Sequence, residues 1–246
     1  MTQSATPSGG RNLSEKGYDL LRRDILHGEL FPGEKLYIDR LSDQYEIGTV
    51  PLREALNRLS SEGLVQHKSH RGFFVAPISM SELEELVKTR IWLETLALRE
   101  SIGNGDEEWE DALVVSCHRL ARTQRLLPPK AGPEISDEWE ARHKEFHMLL
   151  IDRCGSSWLL GFCSGLMDQA VRYRNLSMNS NPSQLRREGA AAEHQAILDA
   201  ALARDADHAC TLLTEHYRTT LIGLRHIILD EMPDGDDRLA KAASSS

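Results

Sequence analysis

Residues 36–76, LYIDRLSDQYEIGTVPLREALNRLSSEGLVQHKSHRGFFVA, constrain the fold more than any other stretch. Ile38 to Tyr45 has the spacing of a short amphipathic helix. Gly48 supplies a turn, and Thr49 is placed to cap a second helix with Pro51 in its first turn, where a missing N–H costs little. In that second helix Leu52, Ala55, Leu56 and Leu59 recur at the helical period, so they form its buried stripe and leave Arg53, Asn57 and Arg58 facing outward. Gly63 ends the helix. Leu64-Val65 and Phe73-Phe74-Val75 then bracket a polar tip, His67 to Gly72, in the manner of a hairpin. Two helices joined by a tight turn and followed by a basic hairpin outline a winged helix-turn-helix, a reader of double-stranded DNA.

The net charge of −9 runs against a DNA-binding role until it is divided along the chain. Between residues 48 and 76, Arg53, Arg58, Lys68 and Arg71 outnumber Glu54 and Glu62, a local excess of two positive charges. Acidity is concentrated elsewhere, in GDEEWED at 105–111 and DEMPDGDD at 230–237. A small positive face on an acidic body neutralises few phosphates as a monomer, and dimerisation doubles that number. A homodimer is therefore expected. No apolar run approaches the ~20 residues a membrane span needs, and the N-terminus lacks the plan of a signal peptide, which points to the cytoplasm and away from a membrane. Cys117, Cys154, Cys163 and Cys210 show no C-x-x-C spacing and lie within helical patterns, so they read as reduced core thiols.

With 246 residues the chain accommodates two domains. Residues 1–12 read as a disordered leader, 13–78 as the winged domain, 79–232 as an all-helical domain and 233–246 as a frayed tail. Leu13 to His27 forms a first helix, and Pro32-Gly33 marks a turn. From Ser79, a capping-box residue with Glu82, about six helices are delimited by Gly103-Asn104-Gly105, the proline-rich 128–133, Gly155-Ser156, 179–182 and 203–205. The fold class is mainly α: a winged helix-turn-helix followed by a helical bundle.

A bundle buries apolar stripes, so charged or imidazole side chains in the phase of a stripe require explanation. Arg90 and Glu94 share the phase of Leu83, Leu86, Val87 and Ile91, and an arginine taken out of water needs a carboxylate partner or an anionic ligand. His143 and His147 lie one turn apart on the face of Phe146, Leu150 and Ile151. His194 precedes Ile197, Leu198 and Ala201, and His216 follows Leu212 and Leu213. A lone histidine in such a stripe is usually a hydrogen-bonded core residue. Four pointing into one interior form a set that binds zinc, nickel or a similar divalent ion. His118 fits a core phase too and is kept outside the set. Enzyme motifs are not met: His143-Lys144-Glu145-Phe146-His147 lacks the glutamate that must follow the first histidine of H-E-x-x-H, and Glu140-x-x-His143 has no second copy for a di-iron centre.

The run from Leu13 to Pro77, with its P-G, P-L-R-E-A-L and G-L-V…R-G-F-F-V, resembles the DNA-binding domain of GntR-type bacterial transcription regulators. The remainder resembles the ligand-binding FCD domain of the FadR-like branch: R-I-W-L-E-T-L-A from Arg90, Phe146-His147, and Glu193-His194 followed by His216. The resemblance implies a homodimeric repressor or activator that binds operator DNA and whose bundle takes a small carboxylate with a divalent metal. It implies that Arg53 contacts a base or phosphate, with Asn57 on the same outward face. Thr49 and Val50 would face the groove, and His70, Arg71 and Gly72 would form the wing contact. The metal ligands it implies are His147, His194 and His216.

Two departures matter. Gly48-Thr49 replaces the Ser-Arg of many relatives, removing an arginine suited to guanine. His143 replaces an aspartate, giving an all-imidazole set that favours zinc or nickel. The segments W-E-A-R-H-K-E-F-H, C-G-S-S-W-L-L and D-Q-A-V-R-Y-R are also similar to a subgroup that includes a glutarate-responsive repressor. That likeness favours short dicarboxylates, with Arg172 and Arg174 as carboxylate partners beside Arg90, although residues two apart on a helix cannot share a face. The leading expectation is a metabolite-responsive regulator. Direct metal sensing is the first alternative, and a metal-dependent hydrolase or lyase with a retained winged domain is the second.

Overall fold

The computed structural model describes residues 8–127, 134–178 and 184–231. The expected tail, the proline-rich break at 128–133 and the break at 179–182 lie outside the described residues, as do the first seven positions of the leader. The chain divides into two compact units, residues 1–79 and 80–246.

In the first unit, α1 (Ser8–His27) starts inside the stretch read as a leader, five residues before the Leu13 expected from the apolar pattern. Its Leu21, Ile25 and Leu26 are buried, and it packs on α3. The approach is close at Gly17, where a Cβ would stand 3.3 Å from Leu52 Cδ2. β1 (Lys35–Leu36) follows a turn in which Glu34 N–H bonds to Phe31 O with Pro32 and Gly33 (φ 79°) at its centre. α2 (Ile38–Tyr45) and α3 (Thr49–Ser61) have the two-helix arrangement the sequence outlines, with Leu52, Ala55, Leu56 and Leu59 buried.

The link between α2 and α3 differs in detail. Glu46, not Gly48, takes the left-handed conformation (φ 55°), and its N–H bonds to Ser42 O. Gly48 is extended and caps α3, so Thr49 is the first helical residue and not the cap. Ser42 stabilises the corner by donating to Ile47 O at 2.8 Å, which supplies locally what the sequence pattern assigned to Gly48. Tyr45 anchors the end of α2 by donating to the buried Asp24 at 2.6 Å.

The wing consists of β2 (Val65–Lys68) and β3 (Gly72–Val75), antiparallel with Val65 opposite Val75 and Lys68 opposite Gly72. β1 joins on the other edge of β3, pairing Leu36 with Phe73, so the sheet order is β1-β3-β2. A two-residue strand has no periodicity to read, and β1 was accordingly invisible in the sequence.

The second unit contains α4 (Met80–Asn104), α5 (Glu107–Arg122), α6 (Asp137–Ile151), α7 (Ser157–Met178), α8 (Gln184–Leu202) and α9 (Ala206–Glu231). α4 packs against α6, α7 and α9, while α5 packs on α6 and α8. The unit is not purely helical. β4 (Leu126–Leu127) and β5 (Glu134–Ile135) form a two-residue ladder between α5 and α6, again too short to leave a pattern.

The acidic 105–111 run is explained locally. Asp106 caps α5 by accepting from Trp109 N at 2.9 Å, and Glu107, Glu108 and Glu110 occupy its first turn, where negative charge opposes the positive end of the helix dipole. All four cysteines are free and buried. Ala170 to Asn175 of α7 are buried at every position. Arg172 and Arg174 are both enclosed for that reason, despite pointing in different directions.

The corner between α4 and α5 yields a test. A Cβ on Gly105 would lie 2.3 Å from the ring of Trp109, which is fully buried and tied by its Nε1 to Leu149 O at 2.8 Å. Gly105→Ala is expected to lower stability by about 1–3 kcal/mol. Gly103→Ala, with nothing within 4 Å, is expected to be neutral or stabilising in the same thermal melts.

Candidate metal centre and nucleic-acid interface

Three helices deliver four imidazoles to one point in the second unit. His143 and His147 project from α6 one turn apart, His194 from α8 and His216 from α9. All four are buried, and one ring nitrogen from each lies within 4.8 Å of the others. His147 Nε2 and His194 Nε2 lie 3.3 Å apart. That separation is the edge of a tetrahedron: bonds of about 2.0–2.1 Å from one ion to nitrogen place neighbouring ligands about 3.3 Å apart. His118, whose phase matched a core stripe equally well, is exposed.

The surrounding hydrogen bonds fix which nitrogens carry protons. Glu94 on α4 accepts from Arg90 Nε at 2.7 Å and from Tyr217 Oη. Tyr217 has then spent its only proton, so its oxygen accepts from His147 Nδ1, 3.2 Å away. This leaves the His147 Nε2 lone pair facing His194. His216 is set in the same way, its Nδ1 donating to Glu193 Oε2 at 2.6 Å. Carboxylate or hydroxyl partners on the far nitrogen of an imidazole are what orient metal-binding histidines. Trp139 stacks on His143 with centroids 4.7 Å apart, and Phe146 sets its edge against both His147 and His194.

Burial, followed by the charge of Arg174 and the neighbouring imidazoles, holds the His143 pKa well below 6.5. His147 is lowered likewise, by burial first and then by His194, His216 and the two arginines Arg90 and Arg174. Neutral imidazole is the form that ligates. The donor set contains nitrogen alone, which fits zinc or nickel and disfavours hard ions such as magnesium.

The three arginines considered as carboxylate partners have separate surroundings. Arg90 is buried against Glu94, four residues along the same helix, with its guanidinium 4.2 Å from the Tyr217 ring centroid. Its burial is met by a carboxylate of the protein itself. Arg174 pairs with Glu140 at 2.6 Å. Arg172 donates to Gln169 Oε1 at 3.1 Å, and burial lowers its pKa. Arg90 and Arg174 thus flank the imidazoles, whereas Arg172 engages Gln169 within its own helix. Glu145, the general-base candidate of an enzyme reading, is drawn to Arg142 at 3.2 Å.

Sequence reasoning missed Tyr217, Glu193, Trp139 and Arg125. Glu193 and Tyr217 each sit next to a cluster histidine in sequence. Adjacency carries no helical-face signal, because neighbours on a helix point 100° apart. Arg125 stands 4.5 Å over the Trp139 ring from a loop, beyond the reach of any periodicity.

On the first unit, Thr49, Val50, Arg53 and Asn57 are all exposed on α3, and Val50 retains 68% of its surface, unusual for an apolar side chain. Arg58 is also outward, but it stacks 3.7 Å over Tyr18 and bonds to Glu62. His70 and Arg71 are exposed at the wing tip. His70 and Gly72 adopt positive φ (60° and 90°), which gives the glycine a conformational reason to be there.

The family signature of "Bacterial regulatory proteins, gntR family" matches residues 13–75, and that of the FCD domain matches residues 85–219. The chain belongs to the GntR family. It is a DNA-binding transcription regulator with an FCD domain, and its relatives are regulators, not enzymes. It is 40% identical over 219 residues to the HTH-type transcriptional regulator BphR of Paraburkholderia xenovorans, covering 87% of this chain and 86% of that one. It is 34% identical over 206 residues to the HTH-type transcriptional repressor GlaR of Escherichia coli, covering 83% and 92%. Among solved structures, E. coli McbR/YncC superposes with a TM-score of 0.70 at 21% identity, covering 87% of this chain and 97% of that one, a likeness of fold. Among the described residues no helix is long and apolar enough to cross a membrane.

The neutral imidazoles of this GntR regulator dictate a pH dependence. Because the folded-state pKa values of His143 and His147 lie below the ordinary value, the unfolded chain binds more protons. With no ion bound, the stability these two groups contribute is therefore present above pH 6.5 and declines as pH falls below it. Thermal melts between pH 8 and 5 check this, and a flat profile would contradict it.

Proposed function

We propose that this regulator binds a divalent ion, zinc or nickel, at His143, His147, His194 and His216, and that a small carboxylate beside the ion sets its affinity for operator DNA. The observation that carries this reading is the convergence of four buried nitrogen donors from three helices, with the far nitrogens of His147 and His216 already occupied. Exposed α3 residues Thr49, Val50, Arg53 and Asn57 enter the major groove in this reading, and His70, Arg71 and Gly72 contact the adjacent backbone or minor groove. Two copies form a homodimer that reads paired half-sites. The acid acts by binding one arrangement of the dimer better than the other, since a ligand shifts an equilibrium only by its differential affinity.

Direct metal sensing is the second reading, favoured by one feature. Four protein ligands complete a tetrahedron, so the ion needs no further partner to be held. Titrating zinc into apo-protein without any acid separates the two: operator affinity that follows the ion alone supports sensing, and affinity that follows the acid at constant ion content supports the first reading.

His194→Ala is expected to abolish stoichiometric ion binding and to remove the ion-dependent rise in Tm. Tyr217→Phe, which keeps the ring but frees His147 Nδ1, is expected to weaken the ion about 10- to 100-fold in chelator competition. Unchanged affinity in both variants would overturn the assignment. Arg53→Ala is expected to weaken operator binding and lower its salt slope by about one, with stability altered by no more than about 0.5 kcal/mol. Gel retardation across a salt series measures it.

A further inference from the structure

The buried residues of α3, Leu52, Ala55, Leu56 and Leu59, occupy one side of that helix. At about 100° per residue, Val50 projects almost opposite them, with Asn57 and Arg53 to one side of it and Glu54 to the other. Val50 therefore stands on the crest of the exposed face, as its 68% exposure records. It is the one apolar side chain exposed on α3, and the exposed residues around it, among them Thr49, Arg53, Glu54 and Asn57, are all polar.

The position of this isopropyl group is fixed by its neighbours in the chain. Leu52 is fully buried, and its N–H closes the first turn of α3 on Gly48 O at 3.3 Å. Pro51, inside the same turn, has its φ locked by its own ring. A β-branched residue in a helix strongly prefers a single χ1 rotamer, so both methyl groups of Val50 are presented in a set direction.

We propose that Val50 is a specificity-determining residue that selects thymine, packing its methyl groups against the 5-methyl of one thymine in each half-site of the operator. This rests on the reading of α3 as the helix that enters the major groove and refines it by naming a base. Valine has neither donor nor acceptor, so it cannot satisfy the hydrogen-bonding edge of guanine, adenine or cytosine. The thymine methyl is the apolar group that the major groove displays. A polar base edge beneath the crest of the helix would lose water and gain no hydrogen bond in return. The neighbouring side chains carry groups suited to the other bases: a guanidinium for guanine, an amide for adenine and a carboxylate for the amino group of cytosine. Val50 supplies the readout that they lack.

The test uses the full-length protein and a probe duplex, the tightest binder selected from a randomised pool. Each thymine of the probe is replaced in turn by deoxyuridine, which pairs identically and lacks only the 5-methyl group. Wild type is expected to lose about 3- to 10-fold in affinity at one thymine of each half-site, the loss of a single buried methyl contact. Val50→Ala is expected to lose a similar factor on the unmodified probe and no longer to distinguish the thymine and uracil forms at that position. If wild type binds every uracil form as tightly as the probe, the assignment is overturned without recourse to any variant. It is overturned equally if Val50→Ala keeps the wild-type discrimination at every position. Arg53→Ala separates this failure from failure of the groove reading. If Arg53→Ala weakens binding while the uracil forms bind wild type normally, only the thymine assignment falls. If neither Arg53→Ala nor Val50→Ala alters binding to the probe, the groove reading falls and this proposal falls with it.

Discussion

Four imidazoles enclosed in one space can share an ion only if their free nitrogens are aimed at it, and apolar packing alone does not aim them. For His143 and His147 neutrality comes first from burial and then from the other imidazoles and the guanidinium groups close by, Arg174 beside both and Arg90 beside His147, which make a further positive charge unfavourable. Aim comes from the chain of hydrogen bonds that runs from Arg90 through Glu94 and Tyr217 to His147, and from the shorter one between Glu193 and His216. Arg90 stands at the start of that chain, three groups from the ring it orients. Its buried charge is thereby explained without any ligand: Glu94 balances it, and the pair together fixes a tautomer.

The two units handle charge in opposite ways. In the bundle, acidic residues gather at helix N-termini, as at Asp106 to Glu110 and again at Asp137 to Glu140, where the backbone's own dipoles favour them. In the winged unit, the cationic side chains of α3 and the wing remain in solvent. Part of the chain's acidity is thus placed where bundle helices begin. The exposed basic strip of α3 and the wing is the part proposed to meet phosphate.

Much of this was legible in the sequence, and the exceptions share a cause. Helical periodicity located α2, α3 and the six bundle helices, and phase selected His143, His147, His194 and His216 because each lies among apolar residues three or four positions away. Phase also admitted His118, which is exposed, because a stripe records spacing without recording whether another helix covers it. Arg172 and Arg174 show the converse. Two residues apart, they point different ways, and only an element wrapped by its neighbours encloses both, a fact of tertiary packing that α7's own pattern does not contain. β1 and β4 with β5 are two residues long, and Tyr217, Glu193 and Arg125 act from positions adjacent to ligands or from a loop. None of these has a period.

His216 and Tyr217 are consecutive on α9 and serve the cluster differently, one as a donor and the other as the support of His147 across the space. Consecutive residues diverge by about 100° around a helix axis, so α9 embraces the cluster from two directions at once. Any roll of α9 about its long axis would pull one ring away while loosening a second. A bound ion would consequently act as a torsional lock on the final helix, resisting its rotation far more strongly than a small tilt.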